Sequence, residues 1–498
     1  MTTIYKTANE WLNSTHVLAE NQMGVEIDSG KLKLGDGICT WRELNYAQYL
    51  DYIGKEKSFV TPENFGELGD DDTVIIQAAL NSGKNVKFTS GVTYNIDGEL
   101  TVPSDIVISG HGAKINLTSN VNVVKKVFKV EDYTKNVIFD GLNFFANRNM
   151  LGVKIGNDTT EFNDSNRESI SLYQGVENII IRNCAFNGVT YCVRLQEHST
   201  TAKDPIWRRN IVIENLWAED VSCAIDGGRE TDGIFMNNIH IETSVESTQK
   251  HHAIYLRTDL KNVRIKNFYI KQYTITGTPV FFCSTRDEID GESNPELDTV
   301  LYGEPIYLSH GEIYGESMGT VTNPYLIYAD NVRFVNNDTD TLGSVFTHKE
   351  ESFGYYNNCT FENCYQIRNG MFTDCRFKLY PGSENGLIFN SGKTKKKYSE
   401  GTFEEGMINV NLSDVERTIL KNCTIDTNNA ASFINIQKMN DNRETGNPHL
   451  IKFKNCIIEN SAEYPVAIDI LIYTSPSINT PYTIIFDDCS FDALFNKD

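Results

Sequence analysis

Residues 451–461, IKFKNCIIENS, decide the reading of this chain. Ile451 and Phe453 alternate with Lys452 and Lys454, the period of a strand with one buried face. The alternation breaks at Asn455, which is followed directly by Cys456, and Ile458 resumes the apolar series. Two inward-facing sides are therefore joined by a one-residue corner. After glycine, asparagine is the residue that best tolerates the left-handed conformation such a corner needs. Its amide can also bond the asparagine of a neighbouring coil. The phrase recurs at 484–494 (IIFDDCSFDAL), 418–428 (TILKNCTIDTN), 370–380 (GMFTDCRFKLY), 354–364 (GYYNNCTFENC) and 179–189 (IIIRNCAFNGV). Asn422, Asn455 and Asp488 stand 33 residues apart, and looser copies begin at 137, 211, 234, 263, 306 and 327. A unit that repeats but cannot bury its own face stacks on its copies.

The spacing predicts an all-β chain, a right-handed parallel β-helix in which Cys lies over Cys, Phe over Phe and Asn over Asn. A β-sandwich, the competing arrangement, needs hairpin turns at regular intervals, and Asn-Gly or Asp-Gly pairs occur here at no regular interval. Six of the 11 cysteines share one slot of the phrase, which predicts packed thiols of a reducing compartment rather than disulfides. Residues 69–83, GDDDTVIIQAALNSG, read as an N-terminal capping helix. Asp72 or Thr73 stands at its N-cap, Ile75, Ile76, Ala79 and Leu80 form one apolar face, and Gly83 stops it.

Composition narrows the function classes. The 498 residues carry a net charge of −22, which repels phosphate backbones and anionic lipid. Neither a nucleic-acid nor a membrane partner is expected. The opening MTTIYKTANEWLNSTH has no apolar segment of a secretory signal, and no run approaches the ~20 apolar residues of a membrane span. The basic run KTKKKY at 393–398 reads as a solvated loop.

Two stretches carry resemblances. Residues 71–115, from DDTVIIQAALNSG to VPSDIVISGHGAKI, resemble the opening of the pectate-lyase-like β-helix proteins found in bacteriophage tailspikes. Residues 18–44, LAENQMGVEIDSGKLKLGDGICTWREL, are similar to the small head module at the N-terminus of phage receptor-binding and tail proteins. Val25–Ile27 and Lys31–Leu34 would form two strands around Asp28-Ser29-Gly30, with Trp41 and Leu44 as a small core. The resemblances imply three parts: a virion-anchoring module at 1–50, a linker at 51–68 and the β-helix at 69–498. They imply a homotrimer in the virion tail, made in the host cytoplasm and acting at the bacterial cell surface. Its partners would be a tail or baseplate protein and a bacterial surface polysaccharide, capsule or O-antigen.

Chemistry in a packed solenoid lies on outward faces. The strands 191–199, 223–232, 252–260 and 280–288 align, with Val193, Ile225, Ile254 and Phe281 inward and Arg194, Asp226, Tyr255 and Phe282 outward. This region holds the densest mix of catalytic residue types. Glycoside hydrolysis needs two carboxyl groups, one donating a proton and one activating water or attacking directly. Asp226, Glu230 and Asp232 are the candidates, with Arg194, Arg229, His252, Tyr255 and Arg257 as substrate-binding residues. Thr231-Asp232-Gly233 resembles the Asp motif of polygalacturonase-like hydrolases, although that family's paired Asp and Gly-His-Gly motifs are missing. A polysaccharide lyase would instead use Tyr255 or His252 as base and Arg257 or Arg194 as the neutralising cation. A non-enzymatic receptor-binding protein would use none of them. No metal or cofactor is implied.

Overall fold

The computed structural model describes residues 3–19, 22–26, 32–34, 37, 40–41, 57–118, 125–146, 167–196, 206–228, 230–243, 252–256, 260–273 and 279–283. It further describes 306–315, 319–322, 326–336, 343–344, 347–349, 353–367, 370–379, 387–390, 417–428, 434–437, 449–462 and 482–492.

One coil shows how the sequence folds. Asn210, Asn215 and Asp220 have φ values of 55°, 52° and 52°, so each turns the chain sharply. Between them run residues 211–214, the first face, and 216–219, the second face. Strand Cys223–Gly227 forms the third. Ile211, Ile213, Leu216, Ala218 and Ile225 point into one continuous core. The next coil repeats this geometry one strand spacing away, pairing Ile211 with Ile234 and Trp217 with His240. The first and second faces form a 24-stranded sheet, and the third face is divided into sheets of nine and four strands. Among the described residues every ladder between coils is parallel, for example Ile179–Ile211, Ile306–Ile327 and Ile451–Ile484. The chain is a parallel β-helix, and the sandwich arrangement is excluded.

The expected columns are present. Phe334, Phe361 and Phe377 stack with centroids 5.0 and 4.8 Å apart. Cys359, Cys375, Cys423 and Cys456 are buried free thiols directly after the corner residues. Each thiol donates to a backbone carbonyl of the preceding coil at 3.4–3.5 Å. Burial pushes the Cys184 thiol up to about 12. Nine described cysteines are free and none is bridged.

The corner amides form directed ladders. Asn215 Nδ2 donates to Asn183 Oδ1 at 2.8 Å, and Asn238 donates to Asn215 at 2.8 Å. The intervals differ, 32 residues and 23, because the connections between faces absorb the variation. Four runs start on an aspartate, whereas the one at Asn267 starts on Asn237. Asn136 donates to Asp105, Asn183 to Asp140, Asn262 to Asp232 and Asn422 to Asp374, at 2.7–3.0 Å. A carboxylate only accepts, so the first residue of those four runs leaves no donor unmet.

Helix Thr73–Leu80 covers the first coil, with Ile75, Ile76, Ala79 and Leu80 buried. Asp72 is its N-cap residue but gives the helix no side-chain cap. Its carboxylate instead accepts from the amides of Gly69 and Asn95 at 2.9 and 2.8 Å, tying the lid to the coil below. Strand pairing begins before the helix, with Phe59–Val60 on Asn85–Val86, inside the stretch read as a linker. The N-terminal module has a parallel pair, Thr3–Lys6 and Met23–Glu26, and an antiparallel partner, Leu32–Leu34. Its core is Trp11 stacked on Trp41 at 4.1 Å, with Leu18. Trp11 was not anticipated. Leu44 and the turn Asp28-Ser29-Gly30 lie outside the described residues.

Candidate functional site

The third face assembles part of the expected constellation. Ser171, Arg194, Asp226, Tyr255 and Phe281 are register partners in successive coils. The inward column is Val193, Ile225, Ile254 and Val280, with Val280 rather than Phe281 in register, and Phe282 is in the core, which corrects its expected outward placement. A slip of one residue exchanges the two faces of a strand, and two adjacent phenylalanines give the pattern nothing to choose by.

Arg194 lies between two carboxylates. Its Nη1 donates to Glu168 Oε1 at 2.7 Å, and its Nε is 3.1 Å from Asp226 Oδ2. The ring of Tyr191 sits 4.8 Å from the guanidinium. Glu168 also accepts from Ser171 Oγ at 2.5 Å and from the Gln196 amide. Glu168 is 1% exposed and Asp226 5%. Burial pushes the Glu168 carboxyl above the usual range, against the pull of Arg194 and Ser171. Burial lowers the Arg194 pKa, but Asp226 and Glu168 outweigh it and hold the guanidinium above its ordinary value. Below the cluster, buried Arg208 donates to the carbonyls of Leu172, at 3.3 Å, and Gln196. Neither Glu168 nor Arg208 belongs to a repeated phrase, and neither was anticipated.

The other expected residues part ways. Gly227, at φ 96°, brings the chain so close to the preceding coil that a Cβ would stand 2.0 Å from the Leu195 carbonyl oxygen. Glu230 then turns the chain at φ 54°. Its carboxylate accepts from the Ile206 amide at 3.0 Å, fastening the incoming strand. Asp232 lies beyond that turn and accepts from Asn262 at 2.8 Å. Gly233 occupies the corner there and has no side chain, so Asp232 takes its place in the ladder. The structure thus places Asp226, Glu230 and Asp232 in three different settings. His252 and Tyr255 are half-buried, with rings 5.2 Å apart. Arg229 and Arg257 lie outside the described residues. Among the described residues no group of three or more His, Cys, Asp or Glu side chains is placed to hold a metal ion.

A second site is open to solvent. A groove of about 790 Å³ runs along the second face, from the coil of Asn215 to that of Asn358. Its floor is a column in register: Trp217, His240, Tyr269, Glu312 and Arg333. Trp217 and His240 stack at 3.8 Å with planes 2° apart, and His240 and Tyr269 at 4.7 Å and 11°. Trp217 is 49% exposed.

Polar groups beside the rings are held in place. Glu242 contacts His240 Nε2 at 3.1 Å and accepts from Tyr273 at 2.7 Å. Glu312 accepts from the Tyr314 hydroxyl, and burial together with that bond pushes Tyr314 up to about 12. Arg333 makes a two-pronged pair with Glu362 at 2.9 and 3.0 Å, which raises its pKa further. Fixed rings with fixed donors and acceptors can bind a ligand that is apolar on one side and hydroxylated around its edge. The column can be traced in the sequence only after the corners are aligned, since each member stands two positions after its corner residue. Its members share no residue type, and so no motif announces them.

No protein-family model and no curated protein sequence matches this chain. Solved structures do. The N-terminal fragment of bacteriophage phi29 gene product 12 is 15% identical, covers 89% of this chain and 72% of its own, and superposes with a TM-score of 0.53. The A-module of an Azotobacter vinelandii mannuronan C-5 epimerase is 12% identical over 86% of this chain and 100% of its own, with a TM-score of 0.43. A Thermotoga maritima exopolygalacturonase is 11% identical over 89% and 96%, with a TM-score of 0.35. At these identities the likeness is one of fold.

Proposed function

We propose that this chain is a bacteriophage tailspike that binds a bacterial surface polysaccharide, capsule or O-antigen, along the groove of its second face. The observation that carries the reading is the exposed, stacked column Trp217–His240–Tyr269 flanked by Glu242 and Glu312. Sugar rings offer an apolar face to such a platform, and their hydroxyls meet the anchored carboxylates and Arg333. Residues 18–44 support attachment to a tail or baseplate protein, as does the fold likeness to a bacteriophage protein. The test is binding of the purified chain to host polysaccharide, with Trp217→Ala and Tyr269→Ala as variants. Undiminished binding in both overturns the groove.

Depolymerisation by hydrolysis is a second reading, favoured by the third-face cluster. A hydrolase needs one protonated carboxyl and one ionised carboxylate. Glu168 is pushed up by burial and faces Asp226 across Arg194. Elimination would instead draw on Tyr255 or His252. Mass spectrometry of digested polysaccharide separates the outcomes. Hydrolysis adds water, elimination leaves unsaturated ends that absorb in the near ultraviolet, and a binder leaves the polymer intact. Asp226→Asn, Glu230→Gln and Asp232→Asn locate the site, and full activity in all three removes it from this part of the molecule.

A further inference from the structure

The repeated phrase contains a third regularity that neither site uses. The residue between the two inward positions of the first face points outward, yet it is apolar in coil after coil. Ile180, Val212, Phe235, Tyr307, Tyr328 and Tyr355 lie on one line of register partners, broken only by Arg264 among them. The line runs on to Ile485, broken again at Lys452, while at its other end Val107 and Ile138 share the register but are buried. Tyr307, Tyr328 and Tyr355 stack at 5.2 and 4.7 Å, and Tyr307 is 38% exposed. None of the six belongs to the solenoid's core cluster, and Tyr355 alone of them is buried, at 9% exposure.

At the ~4.8 Å spacing between strands, the open stripe from Ile180 to Ile485 is about 48 Å long. With its two flanking columns it offers on the order of 700 Å², close to the area each partner gives to an interface of standard size. A continuous apolar stripe on the outside of a monomer marks an interaction surface. The flanks say what the partner is. On one side Lys135, Glu177, Arg209, Asp232 and Lys261 alternate in sign from coil to coil, with Lys135 and Glu177 paired at 2.8 Å. On the other, Asp140, Arg182 and Glu214 alternate likewise, with Arg182 and Asp140 at 3.0 Å. A chain of net charge −22 therefore keeps this one face near neutrality, so that an identical face meets no excess of like charge. Only a rod with the same coil spacing also matches the stripe along its whole length.

We infer that the first face is where copies of this chain pack side by side. This concerns a different face from the groove and stands whether or not the groove binds sugar.

Sedimentation velocity on the full chain tests it, with the wild type and with Val212→Glu and Tyr307→Lys. A charge on the second face, Thr424→Glu, is the control. The wild type is expected at a multiple of 56.3 kDa, three-fold for the homotrimer that the tailspike resemblance implies. Each stripe variant is expected to fall to 56.3 kDa with unchanged circular dichroism, and the control to remain assembled. Tyr307, already open in the single chain, tolerates lysine if Val212→Glu does not fold. A monomeric wild type, or stripe variants that assemble as the wild type does, overturns the inference. Polysaccharide binding is measured on the same samples. Its loss with assembly intact counts against the groove alone, and the converse against the stripe alone.

Discussion

Replacing Trp217 by alanine removes the most open ring of the groove, and the size of the effect follows from its exposure. The side chain leaves 49% of its surface accessible. An aromatic residue of this size covers about 150–250 Å², so about 100 Å² faces the groove. Covering that area contributes about 2.5 kcal/mol at ~25 cal/mol per Å². A ligand that lies on one side of the ring realises about half of it, or about 1.2 kcal/mol. Trp217→Ala is therefore expected to weaken polysaccharide binding about 8- to 70-fold. Trp217→Phe keeps a ring to stack on His240 and is expected to lose less than alanine does. Of the four tryptophans, Trp11 and Trp41 are buried, Trp207 is half-buried and Trp217 alone is exposed. Intrinsic fluorescence therefore reports on the groove directly. The assay is a fluorescence titration of the wild type with defined host oligosaccharides, followed by calorimetric Kd values for the variants. A wild-type emission unmoved by saturating ligand, together with a Kd within about twofold for the alanine variant, refutes the reasoning.

Other expectations concern the scaffold. Asn215→Ala removes two amide bonds of 2.8 Å and puts a Cβ-bearing residue without a polar side chain at φ 52°, a loss of about 2–4 kcal/mol. Asn215→Gly relieves the backbone term, so its unfolding rate in denaturant should lie between those of the wild type and Asn215→Ala; equal rates for the two variants contradict the corner argument. Arg194→Ala leaves Glu168 and Asp226 buried without their shared cation and is expected to cost about 3–5 kcal/mol, with Glu168→Gln restoring part of it in the double variant. Because burial raises the Glu168 pKa above 4.5, the folded chain holds this proton longer than the unfolded one. Its stabilising contribution is complete below the unfolded value and is lost as the pH rises through the folded one, so Glu168→Gln should flatten the pH dependence of thermal stability above 4.5. Cys184 and Cys423, both raised to about 12, behave alike at alkaline pH, where stability should fall from about pH 9 upward. At pH 8 the native chain's eight described buried cysteines should resist iodoacetamide and react only on unfolding; rapid native labelling at Cys184 would show that the packing is not as described.

The architecture could be read from the sequence because its signal is identity. Asn422, Asn455 and Asp488 repeat the same solution to the same geometric problem, as do the cysteines that follow them. Ile75, Ile76, Ala79 and Leu80 were legible for a similar reason, as one face of a helix. The groove was not, because its signal is diversity: tryptophan, histidine, tyrosine, glutamate and arginine occupy equivalent positions. Arg194, Asp226 and Tyr255 were aligned correctly because Val193, Ile225 and Ile254 fix the register around them. The ladder bond of Asp232 was not legible, since a carboxylate beside glycine gives no hint that it stands in for a missing corner side chain. Glu168 went unnoticed because the strand Arg167–Leu172 carries no corner phrase, and only the assembled coil brings Arg194 to it.

The aspartates at the start of four corner runs give the rod a direction. All the amides from Asn183 to Asn238 point the same way, toward the carboxylate of Asp140, so their dipoles add and each bond polarises the next. The members of a run are thus unequal. Trimming its last asparagine deletes one link, whereas neutralising the anion at its base weakens the hold on every residue above. Damage to such a column should be graded by height, greatest at the foot and fading toward the top.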